Sequence, residues 1–235
     1  MNAKKLSKRL ETVASFVPTG AVIADIGSDH AYLPCYLINN KIAKKAIAGE
    51  VVKGPFESAV RQVREEGLIH KISVRLADGL EAIEDGDKVD TITIAGMGGP
   101  LIVSILEKQP EALKNVTRLI LQPNIHAKVI REWAMKNNWA LLDEVILEED
   151  AKIYEILVLQ RGEMNLTEQE LLLGKHLMNE KSDVFIKKWQ REIDNLKRVL
   201  SSLEGAESTP DVVAKREEIL HLISLVEGVL HNENS

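Results

Sequence analysis

Seven short apolar runs alternate with helical patterns over the first 162 residues, and this alternation strongly restricts the fold. Repeated β-α-β units with β-branched, non-alternating strands are typical of a doubly wound parallel sheet. The strand candidates are Val22–Ile26, Lys45–Glu50, Ile72–Leu76, Val89–Ala95, Thr117–Gln122, Ala140–Leu147 and Ile153–Gln160. The helical patterns are Ala31–Asn40, Lys53–Glu66, Leu80–Ile83, Pro100–Glu107 and Ala127–Asn137. The sequence therefore predicts an α/β fold, with ligand-binding loops at the carboxyl ends of the strands.

The last two strand candidates are joined differently from the others. Only the charged turn at Glu148–Lys152 separates them, with no helix between. Two strands connected in this way form a hairpin, so one strand near the end of the sheet should run antiparallel to its neighbours. The expected architecture is a seven-stranded sheet whose last strand is antiparallel.

The hydrophobic period then changes to that of helices. Thr167 and Glu170 have the spacing of a capping box, which marks a helix start. Two apolar stripes follow at spacings of three and four, and Gly205 with Thr209-Pro210 forms a stop and a new start between them. These stripes predict an antiparallel coiled-coil hairpin whose first helix reaches about 55 Å. The stripes are Ile186, Trp189, Ile193, Leu196, Leu200 and Leu203, then Val212, Ile219, Ile223, Val226 and Leu230.

The two expected domains, residues 1–162 and residues 163–235, differ in charge. The net charge of the chain is −6, which by itself argues against binding a polyanion. Residues 1–75 nevertheless hold 12 lysines and arginines against seven acids, whereas residues 163–235 hold nine against 14. The basic residues of the first helical pattern are therefore candidates for phosphate contacts, although a solvated helix face is the simpler interpretation. They are Lys4, Lys5, Lys8 and Arg9.

The single cysteine, Cys35, lies in an apolar context and excludes a disulfide framework. It is interpreted as a packing residue, because no arrangement of a histidine and a base accompanies it. No apolar run approaches the roughly 20 residues of a membrane span, and no long apolar segment of the signal-peptide kind begins the chain. The expected location is the cytoplasm, without membrane association.

The first strand candidate ends in the turn Asp25-Ile-Gly27-Ser28-Asp29-His30. It has one glycine where a dinucleotide fingerprint has three. Pyrophosphate binding needs close backbone amides and a positive potential, and Asp29 would repel it. A cationic or neutral cofactor fits better. S-adenosylmethionine carries an ammonium group and a sulfonium group, and nearby carboxylates stabilise both.

Acids and glycines also follow the next three strand candidates. Glu50 ends the second and is suited to bind both ribose hydroxyls. Asp78 follows the third, where its carboxylate could accept from an adenine amino group. Gly96 and Gly98 end the fourth and let the backbone approach a ligand closely. Because all these ends share one edge of the sheet, they indicate a single ligand site; ordinary turn residues are the simpler alternative.

The motifs Asp25–Pro34, Ile94–Gly99 and Leu121–Asn124 resemble those of the bacterial TrmK family, within the class I S-adenosylmethionine-dependent methyltransferases. The resemblance covers essentially the whole chain and implies a Rossmann-like domain followed by a coiled-coil arm. TrmK enzymes methylate N1 of adenine 22 in the D-arm of tRNA. The Asn/Asp-Pro-Pro-aromatic signature of amino-methylating enzymes is absent, and Ala95–Gly98 stands in its place. The resemblance implies that Asp25, Gly27, Glu50, Asp78 and Gly96 form the cofactor site. We expect their neighbours Ser28, Val51, Gly79 and Gly98 to contribute to it.

Adenine N1 has a lone pair and no proton, so it can attack a methyl group directly, and the product is cationic at first. Such an enzyme mainly has to unpair the base, aim N1 and stabilise growing positive charge. We expect Asp29 near the transfer centre, His30 or Tyr32 to place the adenine, and Met97 to pack on it. For His30, an equal alternative is a helix-start residue bonded to its loop. No metal is expected.

Three interpretations stay open at this stage. Asn124 either binds the flipped base or N-caps the next helix. The acidic helical arm either cradles tRNA or binds a partner or second copy, although no obligate protein partner is inferred. The chain as a whole could instead methylate a small molecule, a protein or another RNA, or it could be a non-catalytic adaptor. The basic residues of the arm that would contact tRNA are Lys187, Lys188, Lys197 and Arg198.

Overall fold

The computed structural model describes residues 5–204 and 209–231. The chain divides into two compact units, Met1–Asn165 and Leu166–Ser235. Lys4 and Gly205, which the sequence singled out, lie outside the described residues. Within the described ranges, no helix is both long enough and apolar enough to cross a membrane.

All seven strand candidates form strands of one sheet, in the order β3-β2-β1-β4-β5-β7-β6. Strands β1 to β5 pair in parallel, whereas β7 runs antiparallel to both of its neighbours, β5 and β6. The predicted architecture is confirmed. The antiparallel strand is the last in sequence, but it lies between β5 and the edge strand β6 rather than at the edge of the sheet. The strands are β1 (Ala21–Ile26), β2 (Ala43–Glu50), β3 (Ile72–Leu76), β4 (Thr91–Met97), β5 (Arg118–Pro123), β6 (Trp139–Glu149) and β7 (Lys152–Arg161).

Five α-helices accompany this sheet. The crossover from β3 to β4 holds only a single 3-10 turn, Gly79–Ala82, where the sequence predicted a short helix. A second 3-10 turn, Asp29–Ala31, follows β1, and a third, Pro110–Leu113, precedes β5. The helices are α1 (Lys8–Ser15), α2 (Tyr32–Asn39), α3 (Lys53–Glu65), α4 (Gly99–Lys108) and α5 (Ala127–Lys136).

Apolar side chains cover both faces of the sheet. One cluster joins Ile23 to residues of α1, α2 and α3, and the other joins Ile92 to residues of α4 and α5. Central strands buried on both faces need no polar alternation, which explains the continuous apolar runs. Cys35 is fully buried in the first cluster, where burial, with a smaller contribution from Glu66, raises the pKa of its thiol to about 12. It is therefore a protonated packing residue at neutral pH.

A buried ion-pair group links α5 to the hairpin of β6 and β7. Arg131 Nε donates to Glu144 Oε1 at 2.6 Å, and its Nη2 donates to Glu155 Oε2 at 2.6 Å. Burial opposes the charged guanidinium, but the two carboxylates outweigh it and raise the pKa of Arg131. Because removing one partner of such a group leaves a buried charge uncompensated, this cluster holds α5 in place beside the carboxyl end of β5.

In the described part of the second unit the chain forms four helices: α6 (Glu168–Leu173), α7 (Lys175–Glu180), α8 (Asp183–Glu204) and α9 (Pro210–His231). The capping box is confirmed, because Glu170 N donates to Thr167 Oγ1 and Thr167 N donates to Glu170 Oε2. The single first helix of about 55 Å is wrong. Positive φ angles at Gly174 and Lys181 break the chain into α6, α7 and α8, and α8 alone spans about 33 Å.

The apolar stripes of α8 and α9 bury side chains at the predicted spacing. Trp189 and Ile193 of α8 are buried as predicted. At the start of α8, Phe185 is buried and the predicted Ile186 is 44% exposed, so Phe185 occupies the core position there. Lys197 Nζ pairs with Glu227 Oε1 between the two helices at 2.9 Å. Trp189 is therefore a core residue, as the sequence favoured, rather than a side chain free to stack on a base.

Candidate active site

The loop after β1 is anchored to the end of β2. The amides of Gly27 and Ser28 both donate to the carbonyl oxygen of Gly49, at 2.9 and 3.0 Å. Gly27 has a φ of +74°, and a Cβ there would lie 2.2 Å from Cε of Met97, at the end of β4. The positive φ favours glycine at this position, and the absence of a side chain leaves room for the end of Met97. The carboxyl ends of β1, β2 and β4 meet at this point.

Asp25 is the acid at the centre of this meeting point. It is buried, and Thr93 Oγ1 of β4 donates to its Oδ1 at 2.6 Å. Burial raises the pKa of the Asp25 carboxyl, Glu50 adds to the rise, and the hydroxyls of Ser28 and Thr93 oppose it. Ser28 Oγ is itself buried without a well-formed hydrogen bond to any residue that the structure describes. The Asp25 carboxylate and the Ser28 hydroxyl therefore have hydrogen-bonding capacity left for a ligand, and the acid suits a cationic one.

Glu50 is held in one orientation at the end of β2. Its Oε1 accepts from the amides of Val51 and Val52, at 2.9 and 3.1 Å, and the residue is buried. A fixed carboxylate at this strand end is the arrangement that binds ribose hydroxyls. The Val51 side chain is 61% exposed beside it, so an apolar surface is available to a ligand base. Gly49 admits no side chain, since a Cβ would lie 2.7 Å from that of Ala82.

Asp78 already has a partner that the sequence did not suggest. Lys108 of α4 donates to Asp78 Oδ2 at 2.6 Å and lies 3.4 Å from Glu81 Oε1. All three side chains are about half exposed, so water screens this ion pair. The adjacent Gly79 is buried with a φ of +61° against Ile105. An adenine amino group at Asp78 would therefore share the carboxylate with a lysine.

The turn after β4 is built on glycines. Gly96 has a φ of +82°, and its amide donates to Gln122 Oε1 at 2.9 Å. Gly98 is the N-cap of α4. Gly99, which the sequence did not mark as a site residue, has no room for a side chain, because a Cβ would lie 2.2 Å from the carbonyl oxygen of His126. The turns after β4 and β5 therefore pack backbone to backbone.

Of the predicted transfer residues, Asp29 and His30 lie on the 3-10 turn after β1, Tyr32 begins α2 and Met97 ends β4. His30 has a φ of +57°, and its Nε2 lies 3.4 Å from Asp29 Oδ1. Its ring stacks on that of Tyr32, with centroids 5.2 Å apart and planes 9° from parallel. The Asp29 side chain is 69% exposed and that of His30 is 43% exposed, so both are open to a substrate. Met97, at the end of β4, lies against Gly27.

Asn124 connects the same two turns. Its Nδ2 donates to the carbonyl of Gly96 at 2.7 Å, and its amide donates to that of Met97, also at 2.7 Å. The N-cap of α5 is His126, which makes no capping hydrogen bond through its side chain. The interpretation of Asn124 as that N-cap is therefore wrong. It remains exposed at the edge where a base would enter.

The basic residues of the N-terminal segment separate into two groups, and Lys5 precedes α1, which begins at Lys8. Lys5 and Lys8 are exposed, whereas Arg9 is half buried and turned toward the carboxyl edge. The Arg9 guanidinium donates from Nη1 to Gln122 Oε1 and lies over the ring of Tyr154, 5.3 Å from its centroid. Gln122 was noted only as part of a motif and Tyr154 not at all, because no local pattern marks a partner that is 113 residues distant.

The model of one family, tRNA (adenine(22)-N(1))-methyltransferase, matches residues 23–228. This range contains the strand ends and turns described above and most of both compact units. The chain belongs to the TrmK family.

TrmK proteins of known structure resemble the chain over nearly its full length. The tRNA (adenine(22)-N(1))-methyltransferase of Bacillus subtilis is 50% identical over 236 residues, which cover 98% of this chain and 99% of that protein. The crystal structure of B. subtilis TrmK has a TM-score of 0.92 at 49% identity, covering 97% and 99% of the two chains. Streptococcus pneumoniae Sp1610, solved in complex with S-adenosyl-L-methionine, has a TM-score of 0.89 at 47% identity, covering 97% and 100%.

A more distant TrmK, from M. capricolum, was solved with the cofactor product S-adenosyl-homocysteine. It is 29% identical, with a TM-score of 0.85 over 95% of this chain and 96% of that one. The donor set of Asp25, Ser28 and Glu50 fits such a cofactor, which carries an ammonium group and a ribose. Among the residues that the structure describes, no cluster of three histidines, cysteines or acids could hold a metal ion.

Proposed function

We propose that this TrmK chain transfers a methyl group from S-adenosylmethionine to N1 of adenine 22 in tRNA. The observation that carries the proposal is the buried Asp25 beside the fixed Glu50, at the carboxyl edge of a sheet with TrmK topology. Family membership over residues 23–228 supplies the substrate. Methylation of a small molecule, a protein or another RNA is the alternative activity.

The residues that would hold the cofactor come from three strand ends. Asp25 and Ser28 bind the ammonium end, because one is an underused acid and the other a hydroxyl without a well-formed bond. Glu50 binds the ribose hydroxyls with its preset carboxylate, and Val51 covers the base. Asp78 accepts from the adenine amino group in competition with Lys108. The glycines Gly27, Gly79, Gly96 and Gly98 keep side chains out of this space.

When bound, the cofactor supplies an electrophilic methyl group on a sulfonium. The N1 lone pair forms the new N–CH₃ bond while the S–CH₃ bond breaks, and the positive charge moves to the adenine ring. Asp29 stabilises that charge from its exposed position on the turn. The stacked pair of His30 and Tyr32 presents a flat surface for the flipped base, and Met97 packs on it. No base is needed to activate N1.

The tRNA backbone contacts the exposed Lys5 and Lys8 and the inner Arg9, and Asn124 meets the flipped base with its exposed amide. Lys4 was assigned the same role and lies outside the described residues. Residues 1–162 form the methyltransferase domain and residues 163–235 the arm, which cradles tRNA or binds a partner. The working location is the cytoplasm, where tRNA is modified.

Incubating the purified protein with methyl-labelled S-adenosylmethionine and an unmodified tRNA transcript tests the function. We expect label in the tRNA, and nuclease mapping should place it at N1 of adenine 22. The matched control is the same transcript with guanine at position 22, which should take up no label. Label at another nucleotide, or equal label in both transcripts, would contradict the proposal.

A further inference from the structure

Arg9 differs from Arg75 and Arg131, which are paired with acids, whereas Arg118 and Arg161 are likewise held by neutral groups, the carbonyls of Phe16 and of Leu113 and Val116. Arg75 pairs with Asp87 at 2.9 Å, and Arg131 is enclosed by two glutamates. The partners of Arg9 are neutral, namely the side-chain amide of Gln122 and the ring of Tyr154. No carboxylate of the described residues forms a salt bridge with it. Its positive charge is therefore held in place without being neutralised.

The side chain that holds Arg9 in place, which we call its brace, is the fully buried amide of Gln122. Gln122 is 0% exposed, and its Nε2 donates to the carbonyl of Pro123 at 2.9 Å. That bond fixes the orientation of the amide, so its Oε1 has to face both Arg9 Nη1 and the amide of Gly96. Because this amide is buried and fixed at the end of β5, it holds the guanidinium of Arg9 at the carboxyl edge of the sheet, where its charge is positioned for a ligand.

Glycine leaves the guanidinium open toward the site. A Cβ at Gly96 would lie 3.7 Å from Arg9 Nη1, so a larger side chain there would extend over the guanidinium. Asn124 is bonded to the carbonyl of the same Gly96. The guanidinium of Arg9 thus lies against Gly96, in the turn that also carries Met97. A flipped adenine has to enter next to this turn.

We infer that Arg9 binds the phosphate next to the flipped adenine, as an anion receptor inside the active site. The inference rests on the proposed function. A base that swings out of its helix carries its two flanking phosphates with it, so an anion comes near the transfer centre. A guanidinium is suited to bind a phosphate through two parallel N–H groups, and a neutral brace keeps its full charge for that contact. Lys5 and Lys8 would contact more distant phosphates.

The test pairs one protein charge with one phosphate charge. The substrates are unmodified tRNA and two versions with a single uncharged methylphosphonate, either 5′ or 3′ of adenine 22. We expect one methylphosphonate to lower kcat/KM of the wild type roughly tenfold, as for loss of a charged hydrogen bond. The Arg9→Gln variant should lose roughly tenfold on unmodified tRNA and lose nothing further on that same methylphosphonate. Independent, multiplying losses would overturn the inference.

Two controls separate phosphate binding from a structural role. Arg9→Gln should bind S-adenosylmethionine with unchanged affinity by calorimetry, and its salt dependence of tRNA binding should fall by about one ion. Weaker cofactor binding with an unchanged salt slope would show that Arg9 only supports the structure of the Gly96 turn, and it would overturn the inference. Arg61→Gln removes an exposed arginine on α3 that bonds only Ser58, and it should leave both quantities unchanged. Wild type that leaves adenine 22 unmethylated would refute the function itself, and an unchanged salt slope in Arg9→Gln would still refute the phosphate contact.

Discussion

Thr93 Oγ1 donates a 2.6 Å hydrogen bond to Asp25 Oδ1, joining the fourth strand to the acid that ends the first. This bond opposes the effect of burial, which raises the pKa of the Asp25 carboxyl above its usual range. Thr93 therefore favours the ionised form of Asp25, which is the form that the proposed binding of a cationic cofactor needs. We expect the pair to give this binding a pH dependence.

Binding of S-adenosylmethionine should strengthen as pH rises through the raised pKa of Asp25 and then level off. The protonated acid has no charge to offer the ammonium group, and it must lose its proton before binding. Thr93→Val removes a bond that lowers this pKa, so the rise should move to higher pH. Calorimetric titration of both proteins across a pH series measures the shift. Identical profiles would contradict the role of the bond.

Asp25→Asn should stabilise the fold while it weakens cofactor binding. An acid with a raised native pKa contributes most stability below its unfolded pKa, and that contribution is lost as pH rises through the native value. The neutral variant lacks this loss, so its advantage in free energy of unfolding should grow from acidic to alkaline pH. Denaturant unfolding at several pH values, beside cofactor titration, checks both effects. A variant that is destabilised at alkaline pH would contradict this account.

Gly99→Ala should destabilise the protein by about 2 kcal/mol or more, because its Cβ would meet the carbonyl oxygen of His126 at 2.2 Å. Backbone cannot move aside as a side-chain end can. The matched control is Gly54→Ala in α3, where nothing lies within 4 Å of the new methyl group. It should change the stability by only about 0.5 kcal/mol or less, because Gly54 is exposed in the first turn of α3 and precedes Pro55, so the usual gain of alanine over glycine in a helix is offset. Urea unfolding of the two variants decides, and similar small changes would show that the turns are not closely packed.

Asp87→Asn should cost roughly 1–3 kcal/mol of stability at neutral pH, as for loss of a charged hydrogen bond. The Asp87 side chain is 14% exposed, and the hydrogen bond from Arg75 holds the pKa of its carboxyl below the usual range. A lowered native pKa gives stability that is present above the unfolded pKa and lost as pH falls through the native value. The variant and the wild type should therefore converge in acid. A difference that stays constant down to low pH would contradict the ion pair.

Asp29→Asn should lower the single-turnover rate of methyl transfer at least about tenfold, with cofactor affinity unchanged. Its carboxylate is exposed beside the transfer turn rather than part of the buried cofactor-binding set. Rapid-quench measurements with saturating cofactor and tRNA isolate that step. Near-normal transfer would remove Asp29 from the mechanism.

Lys5→Glu combined with Lys8→Glu should weaken tRNA binding and flatten its dependence on salt. Both residues are exposed on the basic N-terminal segment. Lys44→Glu combined with Lys71→Glu makes the same charge change at the amino end of the sheet, away from the active site. Filter binding at several salt concentrations should separate the two pairs, and equal losses would point to a general effect of net charge.

Local patterns were enough to predict the elements of the first unit. Each strand candidate became a strand, and most bounds moved by one or two residues, because burial on both faces imposes a continuous apolar run. The first long helix of the arm was predicted wrongly. The capping box at Thr167 and the apolar stripe from Ile186 were assigned to one helix, but the positive φ angles of Gly174 and Lys181 turn the chain between them. A periodic pattern shows which face is buried and does not show where the backbone leaves the helix.

The sequence by itself showed which strand ends carry the acids and glycines of the site. It also showed the glycine-poor turn at Asp25–His30, which favours a cationic cofactor. Each of these features depends on residues that are close together in the chain. Only the tertiary structure decided that Arg9 turns inward to Gln122, that Asp78 pairs with Lys108 and that Gly99 packs on His126. These contacts join residues from 27 to 113 positions apart. Long-range pairs of this kind follow from how the strands are ordered and how closely the loops pack, and no local period records them.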